Sequence, residues 1–279
     1  MKHLDNLEAV MGRIQYDLPK ILFPHELKEW LSLTDEEKAS RMKRLCTVPL
    51  NWEDFTVAYS VYFRCKWLDA FKLRIPEKGA VVLEVGSGSS MNIPFALTMH
   101  DTGSKYITAN MNKKLTEGFK QNAAGLPITI DIIEDNALNI GNYLAPNSVD
   151  AIVFEHSVND VIQAFLCESR GIDTTHCDWM EALPEMIKII STEYVNHRLE
   201  GAVKDEFLML IQSCMAVLKP GGHLIMSHYM FQCDLDLGYN ENLWENMLPT
   251  IRPWLKELEM GKEVSAEGFD PQWWIFYKK

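Results

Sequence analysis

The stretch Val81-Val82-Leu83-Glu84-Val85-Gly86-Ser87-Gly88-Ser89-Ser90 constrains this chain more than any other. An apolar strand pattern delivers one acidic residue into a Gly-x-Gly turn, and a helical pattern follows through Ile93 to Met99. In a parallel sheet, ligands bind beyond the carboxyl ends of the strands, near the point where strand order reverses. Glycines at such a turn let a ligand approach the backbone and allow φ values that a Cβ would forbid. The helix that follows offers free N–H groups and a positive dipole end, which suits a carboxylate or a phosphate.

The rest of the chain supports a sheet of that kind. After Gly79, short β-branched runs alternate with helical stretches. The expected strands are Val81 to Val85, Tyr106 to Ala109, Ile128 to Ile133, Ala151 to Phe154, His223 to Ser227, Lys262 to Ala266 and Trp273 to Tyr277. Alternation of strand and helix predicts βαβ units, hence an α/β fold with a doubly wound, mostly parallel seven-stranded sheet. The last two strands are separated only by Glu267-Gly268-Phe269-Asp270-Pro271, as in an antiparallel hairpin. The turn Pro76-Glu77-Lys78-Gly79 divides the chain into an N-terminal helical cap, residues 1–79, and a Rossmann-like domain, residues 80–279. In the cap, Thr34 and Glu37 make a capping box for a helix to Leu45, and a second helix spans Trp52 to Lys72. Asp160 to Gly201, between the fourth and fifth strands, is longer than one crossover helix requires and reads as a helical insertion.

Composition narrows the partners. The chain has 279 residues, 47% of them hydrophobic, and a formal net charge of −12. Nucleic-acid binding needs a basic footprint, and the nearest candidate, Arg41 to Arg44, lies on an amphipathic helix beside Asp35, Glu36 and Glu37. The expected substrate is therefore a small molecule and not a nucleic acid. Met1 to Ile14 is charged throughout, unlike a signal peptide. No apolar run approaches the roughly 20 residues that span a bilayer. The six cysteines, Cys46, Cys65, Cys167, Cys177, Cys214 and Cys233, are scattered without a CxxC pair. The expectation is a soluble, cytoplasmic protein with reduced thiols and no membrane contact; its oligomeric state is open.

Two details choose among ligands. A dinucleotide fingerprint needs a third small residue for close helix–strand packing, and that place holds Met91. Glu84, just before the turn, would repel a pyrophosphate and favour an ammonium group. S-adenosylmethionine offers an α-amino group, a carboxylate and a sulfonium. At this point the chain resembles the class I, Rossmann-like S-adenosylmethionine-dependent methyltransferases, over about Gly79 to Lys279. Glu84, Gly86, Ser87 and Gly88 fall on that family's cofactor loop. Its second strand usually ends in an acid that holds the ribose hydroxyls; the matching residue is Asn110, which can still accept from and donate to hydroxyls. Asp135, Asn136 and Ala137 resemble the loop that reads the adenine edge. Asp150 to Glu155 and His156 resemble the fourth strand, whose end faces the methyl group, so Glu155 is a cofactor candidate. Leu218-Lys219-Pro220-Gly221-Gly222 resembles the break between the helix from Lys204 to Leu218 and the fifth strand. Trp273 to Tyr277 fits the family's antiparallel last strand.

The resemblance implies a methyltransferase and leaves the acceptor atom (oxygen, nitrogen, sulfur or carbon) open. A base is needed only if the acceptor must lose a proton. His156, and after it His228, are the candidate bases, since histidine titrates near neutrality; packing or helix capping by His156 is the alternative. Tyr59 or Tyr62, on the helix leading into the first strand, could meet the cofactor carboxylate or the substrate, as could Arg64. Asp160 and Tyr229 are substrate candidates, and Trp179, with Met180 and Met186, could shape an apolar acceptor pocket under the insertion. His176-Cys177-Asp178 lacks a second ligand pair at a characteristic spacing, so no metal is expected. The competing readings are an aminopropyltransferase-like enzyme and a non-catalytic module that binds S-adenosylmethionine.

Overall fold

Seven strands form one sheet in the computed structural model, which describes residues 22–45, 50–229, 231–259, 261–264 and 273–279. They are β1 (Val81–Val85), β2 (Lys105–Ala109), β3 (Thr129–Ile133), β4 (Val149–Glu155), β5 (Leu218–Ser227), β6 (Gly261–Val264) and β7 (Trp273–Lys278). The order across the sheet is β3-β2-β1-β4-β5-β7-β6. The first five are parallel, and β7 inserts antiparallel between β5 and β6. This is the doubly wound fold expected from the sequence. The chain winds outward from β1 to β3 and then returns to the other side of β1, so the order reverses between β1 and β4.

β1 and β4 are mostly apolar, interrupted by Glu84 and by Asp150 and Glu155, because helices cover both faces of the sheet, leaving no solvent side to impose alternation. Val82, Leu83, Ala151, Ile152, Val153 and Phe154 are all fully buried. A bulge between Val149 and Ala151 shifts the register of β4 against β5, which begins at Leu218, directly after the helix Leu199–Val217. Expected strand ends thus hold within a few residues. The turn Glu267 to Pro271, the tail of the sixth predicted strand, Cys46 and Met1 to Ile14 lie outside the described residues.

In the cap, Thr34 and Glu37 form the expected box: the Glu37 N–H donates to Thr34 Oγ1 at 3.2 Å, and Glu37 Oε2 accepts from the Thr34 N–H at 2.7 Å. The following helix runs Asp35–Leu45. The second helix starts later than expected, at Val57. Asp54 accepts from the Asn51 N–H at 2.9 Å and holds a 3₁₀ turn over Trp52–Asp54, so residues 55–56 re-aim the chain before the helix begins. Val57–Arg74 buries Tyr62, Phe63, Trp67 and Phe71 and packs on the helix Asn92–His100, which follows the glycine turn. A buried ion pair ties it to the helix Pro24–Ser32: the Arg64 guanidinium donates to both carboxylate oxygens of Glu26, at 2.7 and 3.1 Å.

Asp160 belongs to the crossover helix Val158–Glu168 itself. The additional element is the helix Trp179–Val195 with the loop that leads into it. Asn112 fastens that loop to the end of β2, donating through Nδ2 to the Thr174 and Cys177 carbonyls at 2.9 and 3.2 Å.

Candidate active site

The carboxyl ends of β1, β2, β3 and β4 open into one cavity of about 630 Å³, its mouth included. Each strand contributes the residues that follow it: Gly86 and Gly88 after β1, Asn110 to Asn112 after β2, Asp135 to Ala137 after β3, and Asp160 with Phe165 after β4. Among the described residues the lining holds two carboxylates, Asp135 and Asp160, and no lysine or arginine.

The glycine turn is shaped by its neighbours. The Gly86 N–H donates to the Ala109 carbonyl at 2.9 Å, which pins the turn against β2. Gly86 has φ of 73°, and a Cβ there would lie 3.1 Å from Ser157 Cβ. Both facts require glycine. Asn110 Nδ2 donates to the Gly88 carbonyl at 2.8 Å. A carboxylate could not make that bond, which accounts for asparagine where the family resemblance suggests an acid; Oδ1 is left as an acceptor at the cavity.

The loop after β3 is equally organised. Asp135 accepts from the Asn136 N–H (2.7 Å), Asn139 Nδ2 (3.1 Å) and the Tyr143 hydroxyl (2.9 Å). Those donors, Asn139 and Tyr143 foremost, hold its carboxyl below the ordinary range. Asn136 Oδ1 caps the 3₁₀ helix Ala137–Asn142 by accepting from the Leu138 N–H at 3.0 Å, which leaves its amide N–H group for a ligand. Ala137 is small and buried, so ring-sized space is kept beside it.

Two glycine-loop candidates lie beneath the turn. Glu84 is 0% exposed and does not line the cavity. Its Oε2 accepts from the Tyr106 hydroxyl at 2.5 Å, and burial, with the charge of Glu155 second, pushes its carboxyl well above the usual range. Glu84 thus lies under the turn, held by Tyr106, and outside the described lining of the cavity. Ser87 is also buried, its hydroxyl accepting from Thr108 Oγ1 at 2.8 Å.

Glu155 ends β4 inside a ring of donors: Asn92 Nδ2 at 2.9 Å, Ser90 Oγ at 2.9 Å and Trp67 Nε1 at 3.2 Å. Burial raises its pKa and these donors counter the rise. Tyr59 lies near it, since the Glu155 charge adds to the burial that raises the Tyr59 hydroxyl. Its ring packs on Phe63 at 4.3 Å. Arg64, the basic candidate on the same helix, is committed to Glu26 and stacks over Phe95 at 4.2 Å. Tyr62 is buried in the cap, its ring edge-on to Phe63, away from the cavity lining.

The two histidines come together beyond β4 and β5, but not as bases poised at neutrality. His156 has φ of 52°, and its Nδ1 accepts from the Tyr229 N–H at 3.2 Å. Its ring stacks on His228 at 5.1 Å and meets Phe231 and Trp244 edge-on. Burial, with His228 adding to it, drives the His156 pKa well below its ordinary value; burial takes His228 to about 3. Both shifts weaken the imidazoles as proton acceptors, and neither ring is in the described lining of the cavity. Tyr229 is likewise turned inward: its hydroxyl accepts from Trp273 Nε1 at 2.5 Å in the core. Trp179 lines the cavity with Asn112 and Asp135 to Ala137, at the end away from β5, and not beside the histidines.

The wall opposite the histidines has no counterpart in the sequence-based expectations. Residues 232–256 hold three helices, Gln232–Asp236, Glu241–Glu245 and Met247–Lys256, which bring Trp244 against His228 and, from the loop between the first two, Tyr239 against Trp244. The sequence does carry a signal for it: Leu243, Trp244, Met247, Leu248, Ile251, Trp254 and Leu255 follow helical spacing, and all are buried.

No family model and no curated protein matches this chain. Among solved structures, it is similar to a protein of Methanococcus maripaludis assigned to the S-adenosyl-L-methionine-dependent methyltransferases, at 13% identity over 89% of this chain and 96% of that one, with a TM-score of 0.48. A SAM-dependent methyltransferase from Aquifex aeolicus aligns at 14% identity, covering 86% and 96% of the two chains, with a TM-score of 0.46. TrmN from Thermus thermophilus aligns at 15% identity over 77% of this chain and 49% of its own length, with a TM-score of 0.42.

Proposed function

We propose that this protein is an S-adenosylmethionine-dependent methyltransferase acting on a small molecule. The observation that carries the reading is the cavity itself. Glycine, asparagine and aspartate from four successive strand ends face one space, and the only charges in its described lining are negative. A pyrophosphate would meet two carboxylates and no cation, whereas a sulfonium nucleoside carries positive charge. The residues fit that group. Gly86 and Gly88 leave the backbone open at the turn, and Asn110 Oδ1 suits a ribose hydroxyl. Asn136 and Ala137 suit an adenine edge and face. Glu155, to which Ser90 and Asn92 donate, lies with Tyr59 outside the described lining of that cavity; this cluster would reach the amino-acid end only if the cofactor extends past the glycine turn. When bound, the cofactor supplies a methyl carbon whose bond to sulfur breaks as the acceptor's lone pair forms the new bond, the electron pair staying on sulfur.

The protein's own part is binding, orientation and exclusion of water. The loop over residues 174–177, fastened by Asn112, and Trp179 line the cavity and would cover the nucleoside half of the cofactor. Net charge of −12 favours a small acceptor over a nucleic acid.

Adenine recognition by residues 135–137 tests this reading. S-adenosylhomocysteine is expected to bind at least about 10-fold more tightly than S-inosylhomocysteine, which replaces the exocyclic amine with an oxygen. Equal affinities in calorimetry would refute the assignment of that loop. A second expectation concerns Glu84. Glu84→Gln should leave the S-adenosylhomocysteine affinity within about threefold, under 1 kcal/mol, because the side chain touches Tyr106 and not the cavity. A loss of about 100-fold would restore it as the ammonium partner.

A further inference from the structure

The walls of the cavity at the strand ends differ in how firmly they are held. Val85 and Ala109 belong to the sheet, and Phe165 and Leu210 to helices packed in the core. Residues 172–178 are different: they form a strap between the helices Val158–Glu168 and Trp179–Val195. Thr174, 1% exposed, lines the cavity from the strap's inner side. The side chains of Asp173 and His176 are 59% and 70% exposed on its outer side. One thickness of chain therefore separates the cavity from solvent here. The strap's apolar side chains, Ile172 and Cys177, are only partly buried, and polar contacts hold it in place. Three consecutive residues after β2 supply most of them. Asn112 Nδ2 donates to the Thr174 and Cys177 carbonyls at 2.9 and 3.2 Å. The Lys113 N–H donates to the Thr175 carbonyl at 2.8 Å, and Lys114 pairs with Asp178 at 3.6 Å. The chain enters the strap through Gly171, at φ of 73°, and leaves it at Asp178, the N-cap of the next helix. Positions of that kind absorb the backbone rotation of a hinge.

A segment with little buried apolar surface and a few hydrogen bonds opens at far lower cost than a core strand or helix. We propose that residues 172–178 are the gate through which S-adenosylmethionine enters and its demethylated product leaves, and that Asn112 is the positioning residue that latches it. The proposal rests on the methyltransferase reading, to which it adds the route of cofactor exchange. Asn112 does two separable things. Its Oδ1 accepts from the Leu115 N–H at 3.0 Å and caps the helix Lys113–Ala123, while its Nδ2 holds the strap. Aspartate at this position keeps the cap but has no N–H to give, and sets a carboxylate oxygen against two carbonyls. Serine also caps a helix, yet is one atom too short to hold the strap. A ligand that must wait for an open state associates at a rate set by the population of that state. Loss of the latch therefore speeds entry as well as exit.

The test is surface plasmon resonance with S-adenosylhomocysteine on the wild-type protein, Asn112→Asp and Asn112→Ser. Both variants are expected to associate at least about 3-fold faster and to dissociate at least about 10-fold faster than wild type, with native circular dichroism. A fixed wall that merely touches the ligand would change dissociation alone, so unchanged or slower association in the folded variants overturns the gate. If neither variant folds, hydrogen exchange of the wild-type protein decides. Without ligand, the amides of residues 172–178 are expected to exchange at least about 10-fold faster than those of Val158–Glu168, and to slow by about 10-fold or more with S-adenosylhomocysteine. Exchange as slow as that of the helix, or indifferent to the ligand, overturns the gate. Absence of S-adenosylhomocysteine binding to folded wild-type protein would overturn the methyltransferase reading and the gate with it; binding with unchanged association in the variants would overturn the gate alone.

Discussion

Gly86→Val should weaken S-adenosylhomocysteine binding by at least about 100-fold, or roughly 3 kcal/mol. Two causes act together. At φ of 73° a β-branched residue is held in a backbone region that L side chains avoid, at a cost of about 1–2 kcal/mol or more. Its Cβ would also press on Ser157 Cβ at 3.1 Å. Ser157 in turn donates to the Val85 carbonyl at 2.6 Å, so it cannot retreat without losing a buried bond. The turn therefore moves into the cavity that Gly86 lines. A thermal melt should show lower stability with native circular dichroism, and Gly86→Ala should fall between valine and wild type. Wild-type affinity in a folded Gly86→Val protein would mean that the turn does not contact the ligand.

The second large effect is on stability, and its sign depends on pH. Asp234 has an ordinary carboxyl value near 3.8 when unfolded and about 7 when folded. Between those values the folded state keeps a proton that the unfolded chain has released. Stability therefore falls as pH rises from about 4 to 7, and the loss is complete above 7. Asp160 behaves the same way. Asp234→Asn removes the charge but keeps the shape, so relative to wild type it should gain roughly 2–4 kcal/mol between pH 5 and pH 8. For a chain of this size that is a relative rise in Tm of about 5 to 10 °C at pH 8. Burial of these two carboxyls therefore costs the folded protein stability at neutral pH. A difference in Tm that does not change with pH would contradict the burial of Asp234.

Much of the fold is legible in the sequence, for reasons specific to the elements concerned. Runs rich in β-branched and aromatic residues fix β1, β2 and β4 because a sheet covered on both faces favours mostly apolar strands. Chain order then places Gly86, Asn110, Asp135 and Asp160 at four neighbouring carboxyl ends, and they do line one cavity. The same burial hides the direction of Glu84. When both faces of β1 are covered, nothing in the local pattern says whether its carboxyl turns toward a ligand or toward Tyr106. The surroundings of the histidines have a non-local origin. His156 and His228 end adjacent strands as expected, but their pKa values depend on Phe231 and Trp244, which close over them from residues 231–245. Tyr229, a substrate candidate by its place next to His228, instead meets Trp273, whose position beside β5 follows only from the insertion of β7. Spacing alone puts Trp244 on a helix, but its packing against His228 and Tyr239 is a property of the fold.

The most direct measurement is a pair of calorimetric titrations of the wild-type protein at neutral pH, one with S-adenosylhomocysteine and one with NAD. A cavity whose described lining bears Asp135 and Asp160 and no lysine or arginine should take up S-adenosylhomocysteine at one molecule per chain and give no saturable heat with NAD. Saturable NAD binding with none from S-adenosylhomocysteine would show that the glycine turn holds a pyrophosphate, and would contradict a methyltransferase cofactor site at these strand ends.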